Sequence, residues 1–514
     1  MKEWRHGQAD AKDHSGARHV TASKEHTLRL TSAHGVVLLS SVTLVILVTL
    51  LAVRLPLFLD EAVSLNEARQ PGWRNVVRVI QAWDRGKPPL YFLILHFWLT
   101  LFPATEVSLR TPSIIFAGLS IPVLFVIGKD IVGRKAAALA CALLAINPQF
   151  VLVSSWARMY SLFFLLTLSS SLCLVRAIRS RTRGPADAWY LVSVAALLYV
   201  HNFSLLVICM HWTYVLLFHR GRFLRVVWLT VMAGTLYLPW AWIAYHQLAS
   251  ILQPGSPISW IPSPTALNLL GVFKHLAGSE LLAMLFVPVS AFTVITCIGG
   301  IRAKGFKEDG AWSQRVAGVG LAVSWMVVPV ALVFGFSWTA RPIYVFHYVL
   351  FILPGFLWLV AAGAVELDRR GGRVVVPVFA GAAVVLSGVS IVGIMQDEAR
   401  PDWRTMAQYV VSRRSEGDIV VVDIGDPAHR LAYAYYDRAS EVFGIRAGFH
   451  EKQSWRTRRA VLGGEPGWVW VVAKRGAAEG PGGSRGVEFG SYGVYRLSRS
   501  SLAVNGEALD GGFP

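Results

Sequence analysis

The run Gly35 to Phe58, GVVLLSSVTLVILVTLLAVRLPLF, followed at once by Leu59-Asp60-Glu61-Ala62-Val63-Ser64, decides the fold. The run carries one charge, Arg54, near an end where its side chain can snorkel to headgroups. It exceeds the roughly 20 residues that carry a helix across a bilayer core. A paired carboxylate at the mouth of such a span is costly to keep beside lipid, so the pair needs a reason. Asp60 reads as a helix N-cap for a helix running through Glu67, or as a catalytic base held at the membrane surface. The two are compatible, because a cap fixes a carboxylate in place.

The composition extends that reading to the whole chain. Of 514 residues, 54% are hydrophobic, and successive long apolar runs make a polytopic membrane protein rather than one soluble domain. The formal net charge of +18 suits cytoplasmic loops facing an anionic leaflet. No zinc-finger or RNP-type motif supports nucleic-acid binding. Cys141, Cys173, Cys209 and Cys297 all lie inside apolar runs and form no CxxC, so neither a structural disulfide nor a zinc site is expected. The polar head before the first run is too long for a cleavable signal peptide.

In chain order, residues 1–34 read as a disordered basic cytoplasmic tail. After the first span, an outer loop (59–111) contains the amphipathic stretch Ala62 to Trp83, one or two helices lying in the interface. Gly86-Lys87-Pro88-Pro89-Leu90-Tyr91 ends that stretch, since the proline pair breaks any helix. Leu90 to Phe102 is too short to span. Reading it as dipping without crossing puts the clusters at Arg134-Lys135, Arg176 to Arg183, His219 to Arg225, Arg302 to Arg315 and Asp368 to Arg373 on one side. Arg110, Arg158, His201-Asn202, the loop Ala249 to Ala277, Arg341 and the tail after Met395 then lie on the other. The dense Lys/Arg clusters thereby face the cytoplasm, as the positive-inside rule asks. Later spans are expected at 112–128, 136–153, 159–176, 188–200, 203–218, 226–245, 279–300, 316–337, 344–366 and 374–396, about eleven to thirteen helices in all. The membrane domain covers 35–396. From 397 to 500 charged residues return. A helix over Asp402 to Arg413, strands at 418–423, 468–473 and 487–497, and a helix over 428–437 predict a small outer α/β domain. Residues 501–514 read as a flexible tail.

The polar residues at outward span ends are Asp60, Glu61, Lys87, Glu106, Arg110, Arg158, Tyr160, His201, Asn202, Arg341, Tyr344, His347 and Tyr348. Each alone reads as an interfacial anchor. Together on one membrane face, cations beside carboxylates suit an anionic, lipid-borne substrate and a base that takes a proton.

Asp60-Glu61-Ala62, then Lys87-Pro88-Pro89-Leu90-Tyr91, Glu106-x3-Arg110-Thr111-Pro112-Ser113 and Ala157-Arg158-Met159-Tyr160-Ser161, in that order, resemble the C-type membrane glycosyltransferases. More narrowly the chain is similar to the protein O-mannosyltransferase and aminoarabinose-transferase superfamily (family 39-like). His201-Asn202 and Arg341 to Pro354 resemble its later motifs, and Asp402-Trp403-Arg404 its outer domain. The resemblance implies a polyprenyl-phosphate-linked sugar donor, a lipid, glycan or protein acceptor, and a bacterial plasma-membrane location with the outer domain in the periplasm. It implies Asp60 as general base, Glu61 as orienter or sugar contact, and Lys87, Arg158, Arg341 and His347 as phosphate ligands. Glu106, Arg110, Tyr91, Tyr160, His201, Asn202 and Tyr348 are expected to line the substrate site. The acid that many relatives carry before Ala-Arg is absent from Ser155-Trp156-Ala157-Arg158. The late Arg-Tyr pair reads His347-Tyr348, which leaves the phosphate role open between Arg341 and His347. Asp60-Glu61 would accept a divalent metal, but the cations make one unnecessary and none is predicted. No other cofactor is expected.

Trp73, Trp83, Trp156 and Tyr160 read equally as an aromatic belt or as seats for lipid and sugar. Asp423-Ile-Gly-Asp426 is too weak for a nucleotide loop, so the outer domain is expected to cover or select the acceptor. A flippase would place charges at mid-bilayer and use broken helices, whereas the charges here crowd one surface. A non-catalytic envelope scaffold is the third reading.

Overall fold

A computed structural model describes residues 33–498, apart from 84–86, 254–257, 305–309, 398–400, 424–426, 438–441, 446–467, 475–485 and 490. The expected tails and the Gly-Asp pair at 425–426 lie outside those residues.

Helix α1 (Ala33–Arg54) forms the first span. Two short helices follow, α2 (Leu59–Ala68) and α3 (Trp73–Trp83). Then comes α4 (Leu90–Leu101), which at 1.5 Å per residue reaches only about 18 Å against a hydrocarbon core of about 30 Å. His96 Nδ1 on α4 donates to the Ala68 carbonyl (2.8 Å), which closes the end of α2. The first N–H of α4, at Leu90, donates to the Tyr199 carbonyl (3.0 Å), so the Lys87 loop is tied to the corner that carries His201.

The bundle continues with α5 (Glu106–Ile131), α6 (Arg134–Ala145), α7 (Pro148–Ser154), α8 (Tyr160–Arg179), α9 (Pro185–Leu198), α10 (Ser204–Phe218), α11 (Phe223–Leu252), α12 (Ala266–Ala277), α13 (Glu280–Lys304), α14 (Ala311–Thr339), α15 (Leu353–Gly371) and α16 (Val375–Met395). Among the described residues, eight helices are long and apolar enough to cross a membrane, or nine if the bent pair α6–α7 is one span. The apolar helices α4, α9, α10 and α12 are shorter, so the spans expected at 188–200 and 203–218 do not reach that length and the described count falls below the eleven to thirteen expected.

Three local expectations are corrected. The span over 136–153 is broken by a 59° bend, because Pro148 lacks an N–H and biases Asn147 away from the helix. The Asn147 amide caps α7 through Phe150 N (2.9 Å) and donates to the Leu276 carbonyl (2.8 Å). The outer loop at 249–277 contains α12, which ends at Gly278 with φ +104°. A Cβ there would come within 2.4 Å of Pro148 Cδ, so only glycine fits. Finally, the span placed at 344–366 runs over Leu350–Gly371, with its α-helix beginning at Leu353. Pro354 suits a first helical turn, and the residues before it fold into 3-10 turns at Phe346–Tyr348 and Leu350–Ile352. Those turns bring His347 and Tyr348 to the site.

Glycines set the closest helix approaches. A Cβ on Gly318 would stand 2.3 Å from the Ile131 carbonyl oxygen, and one on Gly363 2.3 Å from that of Val289. Small residues at such crossings let backbones meet in lipid.

After α16 come α17 (Trp403–Val411), capped by Asp402 accepting from Thr405 N (3.0 Å), and α18 (Pro427–Tyr436). A five-stranded sheet has order β2-β1-β3-β5-β4, with β1 (Ile419–Asp423), β2 (Val442–Ile445), β3 (Trp468–Lys474), β4 (Val487–Phe489) and β5 (Tyr492–Ser498). Strands β2, β1 and β3 are parallel, and β5 is antiparallel to both β3 and β4. The continuous apolar run of β1 fits burial on both sheet faces. The short β2 was not expected, and the single strand placed at 487–497 is a hairpin.

Candidate active site

The site forms where α2, the Lys87 loop, the corner 155–159 and the turns before α15 meet. Asp60 sits in the first turn of α2, but the N-cap is Phe58. The capping bond comes from Glu61, whose Oε2 accepts from Phe58 N (2.8 Å). The cap role read for Asp60 is thus corrected.

Glu61 is fully buried and bound in a bidentate pair to Arg110 of α5, with Nε to Oε1 and Nη2 to Oε2 both 2.7 Å. Its Oε1 also accepts from Ala157 N (2.8 Å). The remaining guanidinium donors go to the carbonyls of Ala52 (2.5 Å), Leu55 (2.8 Å) and Pro56 (3.1 Å) at the end of α1. All five N–H groups of Arg110 are therefore used. Orphan carbonyls at a helix C-terminus suit a cation. Glu61, expected as orienter or sugar contact, and Arg110, expected to line the substrate site, form a buried strut joining α1, α2, α5 and the Arg158 corner.

Asp60 takes the other direction. Its side chain is 42% exposed, and its Oδ2 lies 3.4 Å from Arg158 Nη2. Arg158 also reaches Ser64 Oγ (3.3 Å). Burial pushes the Asp60 carboxyl up, but Arg158 and then Lys87 outweigh it and hold the group below the usual carboxylate range. Lys87 is half-buried, and desolvation together with Arg158 pulls its ammonium down to about 8 against the attraction of Glu67 and Asp60.

The other expected residues divide. Tyr160 lies under the Arg158 guanidinium (5.9 Å) and packs against His347 (5.1 Å) and Tyr348 (6.1 Å). His201 packs on Tyr348 (5.7 Å) and Phe163 (4.9 Å). Burial pushes His347 down to about 4 and His201 to about 3, so both imidazoles are neutral at pH 7. Asn202 is exposed beside them. Tyr91 is buried and shares a hydrogen bond with Ser113 (2.8 Å), which donates to the Arg158 carbonyl (3.1 Å). It supports the Arg158 corner rather than lining the site. Glu106 is bound by Arg404 (2.5 Å) and by Tyr436 of the C-terminal domain. Arg341 donates to the Gln253 carbonyl (2.6 Å) at the end of α11, whereas His347 faces Asp60 and Arg158.

Glu67 escaped the sequence reading. It is 1% exposed, and neither carboxylate oxygen accepts a hydrogen bond from a described residue. Burial raises its pKa, against the pull of Lys87 and Arg158. Arg158 Nε, Tyr160 Oη and His347 Nδ1 are likewise buried without a hydrogen-bond partner among the described residues. Buried polar atoms are rarely left so, and the Arg158 N–H and Tyr160 O–H are donors that suit a polar, anionic ligand. Among the described residues no three His, Cys, Asp or Glu side chains gather as a metal site.

Two structures of ArnT from Cupriavidus metallidurans, one bound to undecaprenyl phosphate and one apo, match with TM-scores of 0.57 and 0.58. Both are 12% identical, and the matches cover 92% and 93% of this chain and 98% and 99% of theirs. The chain has the C-type membrane glycosyltransferase fold, of the ArnT type. The archaeal oligosaccharyltransferase AglB from Archaeoglobus fulgidus, in complex with an inhibitory peptide and a dolichol-phosphate, matches at TM-score 0.50 and 10% identity, over 86% of this chain and 69% of its own. The family model for dolichyl-phosphate-mannose-protein mannosyltransferases matches residues 86–245. That segment takes in Lys87, Arg110, Arg158 and His201 but begins after Asp60. No curated protein matches the sequence.

Proposed function

We propose that this chain transfers a sugar from a polyprenyl-phosphate-linked donor to a hydroxyl acceptor, on the outer face of a bacterial plasma membrane. The observation that carries the reading is the meeting of a half-exposed Asp60 with Arg158 (3.4 Å) and Lys87 beside the packed rings of Tyr160, His347 and Tyr348. The Lys/Arg clusters facing the opposite side support the orientation, with the N-terminus cytoplasmic and the outer domain periplasmic.

Asp60 takes the proton of the acceptor hydroxyl while its oxygen attacks the anomeric carbon. The carbon–oxygen bond to phosphate breaks, its electron pair stays on the phosphate, and the anomeric centre inverts. Arg158 and Lys87 neutralise the leaving polyprenyl phosphate. The same charges tune the base. In the free protein they hold Asp60 ionised and weakly basic. An anionic donor bound between them cancels part of that field, so the carboxylate becomes more basic once the donor is seated. The exposed aromatic and aliphatic faces of the spans give the lipid tail its place, as the undecaprenyl phosphate bound to ArnT suggests.

The test is Asp60→Asn in the full chain. Loss of the envelope glycan product, with undecaprenyl phosphate binding retained, is expected. Full product formation would exclude Asp60 as the base.

A further inference from the structure

We infer that the outer domain is a clamp on the catalytic elbow, acting through Tyr436, Arg404 and Glu106. The inference rests on the assignment of Asp60 as base.

The elbow is the short link Leu55 to Phe58 between α1 and α2, and Asp60 stands two residues beyond it. Leu55 N completes a last helical bond to the Leu51 carbonyl (2.9 Å) and Pro56 has no N–H, so the N–H groups of Leu57 and Phe58 are the ones that need other acceptors. Phe58 N finds Glu61, but Leu57 N donates to Tyr436 Oη (2.8 Å), from a residue 379 positions later in the chain. The Tyr436 hydroxyl in turn donates to Glu106 Oε1, and Arg404 donates to Glu106 Oε2 (2.5 Å) and to the Val53 carbonyl (3.4 Å). Tyr435 adds a bond to the Ala104 carbonyl (3.2 Å). One hydroxyl thus accepts from the elbow and donates to the carboxylate at the start of α5, a favourable place for negative charge. Helix α18 packs directly on α2. Leu57 is 1% exposed, and Phe58 stacks on Trp156 (5.1 Å), which packs edge-on against His347 (5.5 Å) and Tyr160 (6.3 Å). Any shift of the elbow therefore moves both the Asp60 helix and the aromatic wall of the site.

Tyr436 and Arg404 are positioning residues, since they touch neither reacting group. The charge of Glu106 is what holds both of them. This gives the outer domain a duty in catalysis that is separate from choosing an acceptor.

Hydrogen exchange read by mass spectrometry on the full-length protein in nanodiscs tests the clamp without any sugar substrate. Tyr436→Phe keeps the ring and its packing and removes only the hydroxyl. Peptides covering Leu55 to Ala62 should exchange about tenfold faster than wild type, the effect of one lost hydrogen bond, while peptides from α13 and α14 stay unchanged. Arg404→Ala should give the same local pattern. In the same samples undecaprenyl phosphate should bind as in wild type, and the envelope glycan product in cells should fall about tenfold. Unchanged elbow exchange in both variants would overturn the clamp, whatever the activity. A loosened elbow with undiminished product would overturn its role in catalysis. Failure of the underlying assignment would show separately, as an active Asp60→Asn protein.

Discussion

Replacing Arg110 by methionine separates a structural Glu61 from a catalytic one. The substitution removes a bidentate pair at 2.7 Å and three donors to the end of α1. Glu61 would remain fully buried with only the N–H groups of Phe58 and Ala157 facing it. Breaking one side of a buried pair costs about 3–5 kcal/mol, mostly as an uncompensated charge. The two surviving amide donors place the expected loss near 3 kcal/mol. The double variant Arg110→Met with Glu61→Leu removes the stranded charge and should recover at least half of that loss, because apolar replacements of buried pairs are often neutral. Reversible unfolding in mixed micelles measures both variants, with undecaprenyl phosphate binding as a check on the site. If Arg110→Met unfolds within about 1 kcal/mol of wild type, or if the double variant is worse than the single, the strut does not exist. If Glu61→Gln keeps full stability yet abolishes product, Glu61 acts on substrate after all.

The Lys87 ammonium, pulled down to about 8, is charged below that pH and neutral above it. Binding of undecaprenyl phosphate should therefore weaken as pH rises through 8. Lys87→Arg, which stays charged, should flatten the profile up to pH 10, and a wild-type profile that is already flat would refute the role. Glu67 raises the Lys87 pKa, so Glu67→Gln should move the break to lower pH in the same titration. Gly363→Ala places a methyl 2.3 Å from the Val289 carbonyl and should cost about 1–3 kcal/mol through overpacking. Unfolding in micelles would read this, and no loss would mean that α13 and α15 separate freely.

Much of the fold was legible because it depends on local pattern. Apolar length marks the spans, the amphipathic spacing of Val76, Val77, Val79 and Ile80 marks α3, and the apolar run of β1 marks the C-terminal sheet. The positive-inside bookkeeping placed Asp60, Lys87 and Arg158 on one face before any geometry was known. Partners distant in sequence were not legible. Glu61 and Arg110 are 49 residues apart, and Glu106 and Tyr436 are 330 apart, so nothing local distinguished a buried pair from exposed substrate contacts. The 3-10 turns before α15 and the helix α12 in an outer loop follow from tertiary packing around Pro354 and Pro148, which propensity does not carry.

One part of the pairing was nevertheless available from helix geometry alone. Consecutive helical residues point about 100° apart, so Asp60 and Glu61 point in different directions if α2 is a helix. Glu61 turns inward, and Arg110 is the cation it meets. The face Asp60 keeps is shared by residues four and seven positions on, which are Ser64 and Glu67. Arg158 reaches both Asp60 and Ser64, and Glu67 lies buried within the same charge field. The acid pair that opens α2 therefore splits into one buried anchor, Glu61, and one carboxylate on the Arg158 side, and the next acid on that side is Glu67, two turns along the helix.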